Sequence, residues 1–90
     1  MKPTSPNDGD VIAVALQALA VSLGDDARAS RLLALTGLSP DDLRQRAAEP
    51  DVLVAVLRFL EDHEPDLIAV ATEMGRTPQE LVAARNALDA

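Results

Sequence analysis

Ninety residues make one small domain. Apolar residues are 48% of the chain but Phe59 is the only aromatic, so any core must be built from Leu, Val, Ile and Ala. The lack of cysteine excludes a disulfide framework, thiol chemistry and cysteine-ligated zinc. A net charge of −7 sets the chain against nucleic acid and anionic membrane unless its bases gather on one face.

The N-terminal segment, residues 1–9, is polar and rich in Pro, Gly and Asp, and reads as a flexible lead into a single helical domain over 10–90. The run "VIAVALQALAVSL", Val11 to Leu23, has about the length of a signal-peptide core. However, Asp8 and Asp10 stand where positive charge belongs, and Gln17 interrupts the run. It is also too short to span a bilayer, which takes about 20 apolar residues. A buried first helix over about 10–23, ending near Gly24, is the better reading. No strand pattern competes: Val and Ile fall among Ala and Leu at helical spacing.

A second helix is expected over about 26–36, capped by Asp25 or Asp26, with Gly37 closing it in the left-handed conformation. Leu33 and Leu38 occupy the positions of the apolar pair in a Schellman ending. Ser39 then caps a third helix with Pro40 at its first position, and Leu38 and Leu43 stand at the hydrophobic-staple positions. Glu49–Pro50 stops that helix. The fourth helix, about 51–63, repeats Val52, Leu53, Val56, Leu57 and Leu60 at three- and four-residue spacing, with Val54 and Phe59 widening the face, as in a central helix. Pro65 opens the fifth, about 65–74, with Leu67, Ile68, Ala71 and Met74 on its expected core face. Gly75 ends it, and Thr77, Pro78 and Glu80 start the sixth with a capping box. That helix runs over about 78–88 with Leu81, Ala84 and Leu88 inward. Leu16, Leu19, Leu33, Val56, Leu57 and Leu60 are the expected centre of the core.

The two corners share one phrase. "TGLSPDDLRQRA" and "MGRTPQELVAAR" place Gly37 and Gly75, Ser39 and Thr77, Pro40 and Pro78, and Leu43 and Leu81 in register, each pair 38 residues apart. The fold class is therefore all-α: a compact bundle of about six short helices, readable as two three-helix units related by a weak internal repeat. Convergent capping stands as the alternative, because capping rules alone generate such phrases.

The chemistry is sparse. The second helix, Gly37 and the third helix have the lengths of a helix–turn–helix, in which Arg44, Gln45 and Arg46 would face DNA. Asp41 and Asp42 would lie at the same approaching end, which opposes that reading. "EDHEPD", Glu61 to Asp66, has carboxylates and the lone His63, but nothing fixes their geometry, and a solvated acidic corner is expected instead of a metal site. Ser22, Ser30 and Ser39 lack a base other than His63, and the four glycines make no phosphate loop. No catalytic residue, cofactor or metal is expected, and the chain does not read as an enzyme. Arg28 and Arg31 on the second helix and Arg44 and Arg46 on the third are the candidate partner contacts, as a basic patch for an acidic partner. The competing expectation pairs them internally with Asp25, Asp26, Asp41, Asp42 and Glu49.

"ALQALAVSL", "RLLALTGLSPDDLRQRA", "VLVAVLRFL" and "ELVAARNAL" together resemble a short, all-helical bacterial protein family known as a domain of unknown function. The likeness covers about residues 10–88, and "ALTGLSPDDLRQRA" is its most specific part. It implies a cytoplasmic, single-domain helical protein with a regulatory protein as partner, and it brings no catalytic or binding residues. The expected function is a non-enzymatic interaction protein or regulatory adaptor, with a helix–turn–helix DNA-binding protein as runner-up and an enzyme third. Monomer and homodimer both stay open, since a domain this small gains from a partner subunit.

Overall fold

Glycines and caps divide the chain where the sequence places them. A computed structural model describes residues 8–90, and the described residues form six helices and no strand. In chain order they are α1 (Asp8–Leu23), α2 (Asp26–Thr36), α3 (Pro40–Arg46), α4 (Pro50–Asp62), α5 (Glu64–Met74) and α6 (Pro78–Asp89). α1 takes in Asp8 and Gly9, the end of the segment expected to be flexible. The rest of that segment, residues 1–7, lies outside the described residues.

The two corners are built alike and finished differently. Gly37 and Gly75 have φ of 77° and 72°, the left-handed region open to glycine. Ser39 and Thr77 each accept from the backbone N–H three residues on, while Asp42 and Glu80 accept from the N–H of the capping residue. Both corners are thus capping boxes, with proline at the first helical position. These hydrogen bonds from the backbone amides lead the forces that hold the Asp42 and Glu80 carboxyls below their ordinary values.

At Gly75 the ending is a Schellman motif: the Arg76 N–H donates to the Ala71 carbonyl and the Gly75 N–H to that of Thr72. At Gly37, where a Schellman ending was expected, only the Gly37 N–H reaches back, to the Leu33 carbonyl, which is the simpler left-handed cap. The reason is Thr36. Its hydroxyl accepts from the Leu38 N–H at 3.2 Å and donates to the Leu32 carbonyl at 2.6 Å, so the amide that would close the longer ring is already satisfied. The matching residue in the second corner is Met74, which has no such group.

α4 is the centre. Val52, Leu53, Val56, Leu57, Phe59 and Leu60 are all buried, and α1, α2, α5 and α6 pack around them. α1 meets this core with Val11, Ala15, Ala18 and Leu19; Leu16, an expected core residue, is only partly buried. The run is apolar nearly all round, so its periodicity does not select a face. In α2 it is Leu32 that is fully buried and Leu33 partly, because the cap fixes the helix end but not its rotation. In α5, Val70 replaces Ile68: Val70 is fully buried and Ile68 is 48% exposed. α6 contributes Leu81 and Ala84, with Leu88 partly buried against the core.

The third helix of each half breaks the likeness. α6 lies along α1, α4 and α5, whereas α3, only seven residues long, has no fully buried side chain and no comparable helix contact. Leu38, Leu43 and Ala47 are its hold on the core.

A Cβ added at Gly37 or Gly75 would meet nothing within 4 Å. The cost of Gly37→Ala or Gly75→Ala is therefore backbone strain alone, expected at about 1 kcal/mol each. Asparagine, which tolerates the left-handed region better, should cost less at both sites than alanine. Urea unfolding of the four variants tests this; equal losses for Ala and Asn would show that the strain is not conformational. Leu57→Ala, which opens a cavity at the centre, should cost about 2–5 kcal/mol in the same assay.

Candidate functional site

The four arginines offered by the sequence divide between two places. Arg28 and Arg31, one turn apart on α2, converge on Asp66 in the first turn of α5. Arg31 Nη2 reaches both carboxylate oxygens, at 2.8 and 2.6 Å, and Arg28 Nε donates to Oδ1 at 3.3 Å. Asp66 is buried, at 9% exposure, and Arg28 is nearly so. Burial alone would raise the Asp66 carboxyl. The hydrogen bonds and positive charge of Arg31 and Arg28 outweigh it and hold the group below its ordinary value. Arg44 and Arg46 serve other carboxylates. Arg44 pairs with Asp41 in the open, and Arg46 sits among Asp42, Glu49 and Asp51.

"EDHEPD" is therefore not the solvated acidic corner that its composition suggests. Proline starts α5 and turns the chain, so neighbouring groups face different helices. Glu61 takes a two-pronged bond from Arg85 of α6, at 2.7 and 3.1 Å, and Asp66 takes the α2 arginines. His63 donates through Nδ1 to the Phe59 carbonyl at 2.8 Å, since a carbonyl can only accept, and its ring lies 4.7 Å from that of Phe59. Among the described residues no three His, Asp or Glu side chains gather as metal ligands would. Nor is any helix among them long and apolar enough to cross a membrane.

The surface feature that the sequence did not reveal is a groove between α1 and α6, about 430 Å³ in volume. Val11, Ala13 and Val14 line it from α1, and Ala83, Ala84 and Ala87 from α6. Val11 and Ala84 are buried at its base, while Ala13, Ala83 and Ala87 are exposed. Asp10, Gln17, Arg76 and Glu80 complete its lining, with Arg76 bonded to Glu80 at 2.9 Å. The alanines of "LVAARNAL", three and four residues apart, were the available signal. Their meaning depends on α1 lying alongside, which no local pattern gives. A second hollow of about 230 Å³ lies where Leu35, 62% exposed, borders Ala55, Phe59 and His63.

Asp66→Asn keeps the shape of the α2–α5 tie and removes its charge. At neutral pH it should destabilise the fold by about 2–3 kcal/mol, less than the loss for a fully buried pair because Arg31 remains half exposed to water. The folded carboxyl is depressed, so its contribution is complete above the ordinary carboxylate pKa of about 3.9 and is lost as pH falls through the lower folded value. The stability gap between wild type and Asp66→Asn should thus shrink as acid is added below about pH 4. Denaturant titrations across that range measure it; a gap that stays constant would contradict the assignment.

No match was found among curated proteins or among solved structures. A family model does match, over residues 10–90, nearly the whole of the described helical bundle. The chain belongs to the family described as "Protein of unknown function (DUF3572)".

Proposed function

We propose that the chain is a non-enzymatic protein-interaction module, a regulatory adaptor of the cytoplasm, whose working surface is the α1–α6 groove. The observation that carries this reading is the groove's lining. Six small apolar side chains on two adjacent helices border a trough beside the core that the described residues leave unfilled. Apolar surface next to a folded core gains by being covered, and a helix groove is a common way for a protein to receive a partner's segment. The cytoplasmic placement rests on the family likeness and fits a chain without cysteine.

The helix–turn–helix reading has less to stand on. A recognition helix needs bases free to meet phosphates. In α3, Arg44 is paired with Asp41, and Arg46 with three carboxylates. Catalysis would call on His63, the only histidine, whose Nδ1 is engaged by the Phe59 carbonyl.

Two measurements test the reading. Duplex DNA titrated with micromolar protein at about 150 mM salt should give no binding; binding that weakens with salt and disappears in Arg44→Ala/Arg46→Ala would restore the DNA reading. Affinity capture from the native cell extract should be run with the wild-type chain beside Ala13→Trp/Ala87→Trp, which fills the groove from two exposed positions. A protein held by the first and lost by the second, again with both components purified, is the expected result. Identical captures by the two chains would move the working surface elsewhere and overturn the proposal.

A further inference from the structure

We infer that the occupant of the α1–α6 groove is a cationic amphipathic helix of a partner protein. This rests on the interaction-module reading and adds the chemistry of the partner.

Shape comes first. On α1 the lining residues Asp10, Ala13, Val14 and Gln17 recur at three- and four-residue spacing, and on α6 so do Glu80, Ala83 and Ala87, with Arg76 added from the corner before the helix. Each wall is thus one continuous face of a helix. A trough between two such faces is matched by the ridge of a third helix, whose own side chains repeat at the same spacing. Because the apolar part of the lining is alanine and valine, the large apolar side chains must come from the occupant. Leu, Ile or Met at i, i+3 or i+4, and i+7 would supply them.

Charge selects among the helices that fit. All seven arginines of the described residues are engaged with carboxylates. Asp62, Glu64 and Glu73 are exposed and have no such partner among the described residues. The charge left to act at a distance is negative, in keeping with the net charge of −7. Such a field draws in a cationic segment and sorts it from an acidic one. It also repels a second copy of this chain, which bears the same −7. Gln17 adds a point of recognition. Its amide has no hydrogen-bond partner among the described residues, and it stands one turn from Val14 and Ala13 in the α1 wall. A polar side chain at the edge of the occupant's apolar face would meet both its donor and its acceptor.

The test uses the full chain and three synthetic peptides: a Leu/Lys amphipathic helix, the same residues scrambled out of helical spacing, and the Leu/Glu counterpart of the first. Labelled-peptide anisotropy gives affinity, and amide NMR shifts locate the site. The ordered cationic peptide should bind about ten-fold more tightly than the scrambled one, which carries identical charge. Its shifts should centre on Ala13, Val14, Ala83 and Ala87. Ala13→Trp/Ala87→Trp should lose about ten-fold in affinity, with an unchanged amide spectrum away from the groove confirming its fold. Gln17→Ala should weaken the ordered peptide and leave the scrambled one unaffected. Equal binding of ordered and scrambled peptides, tighter binding of the acidic one, or shifts outside the groove would overturn the inference. So would concentration-dependent groove shifts in the peptide-free chain, which would make a second copy the occupant. If no peptide binds while capture from extract still depends on an open groove, the cationic helix falls and the module reading stands. If neither depends on the groove, both fall.

Discussion

The close approach of α1 to its neighbours, made on alanine, is the constraint from which the rest of the structure follows. With one aromatic in the chain, no side chain can bridge a wide gap between helices, so the helices themselves must come close. Ala15 and Ala18 of α1 are fully buried and let α4, α5 and α6 pack against its backbone. Ser22 completes that face without disturbing it, because its hydroxyl donates to the Ala18 carbonyl at 2.7 Å and leaves no polar atom unsatisfied. The same economy of volume has an outward consequence. Where α1 and α6 turn Ala13, Ala83 and Ala87 toward solvent, the described residues leave the angle between the helices unfilled, and the groove remains. Core and groove are two results of one compositional choice.

Electrostatics joins what this aliphatic packing leaves loose. Apolar contacts are not directional, so on their own they set helix rotations loosely. The paired arginines fix them. Arg28 and Arg31 hold the beginning of α5 to α2, and Arg85 holds the end of α4 to α6 through Glu61. Each tie joins a carboxylate from the short stretch around Pro65 to a different helix, so one acidic corner serves as the hub for two docking contacts. An exposed pair is worth little, but the Arg28–Asp66 pair is mostly hidden from water, where loss of one partner strands the other.

What was legible in the sequence was local. Gly37, Ser39 and Pro40, with Gly75, Thr77 and Pro78, state their conformations within six residues, and both corners form with the expected left-handed glycine and capping box, though only Gly75 closes a Schellman ring. Helix rotation was less legible. Ile68 and Val70 are equally apolar, and only the position of α1 beside α5 decides that Val70 faces inward and Ile68 outward. Asp66 was misjudged for a related reason: hydropathy places an aspartate outside, and its burial depends on two arginines more than thirty residues away in sequence. The candidate arginines were legible as cations but not as partners of that aspartate. The groove was illegible because it belongs to neither helix alone.

The 38-residue step that relates the corners also separates Arg28 from Asp66. Residues at matching places in the two halves are therefore opposite in charge and in contact. Packing follows the same correspondence through the first two helices of each half: α1 lies on α5 as α4 lies on α2, and each adjoins its own successor. It stops at the third helix. Leu81 of α6 is buried where its counterpart Leu43 of α3 is only partly so, and α6, unlike α3, lies along both α1 and α4. α6 carries Ala83 and Ala84 where α3 has Gln45 and Arg46, and with twelve residues against seven it continues to Ala87. The groove thus arises where the two halves cease to match. The alanines of α6 and its greater length provide a wall that the described residues leave uncovered.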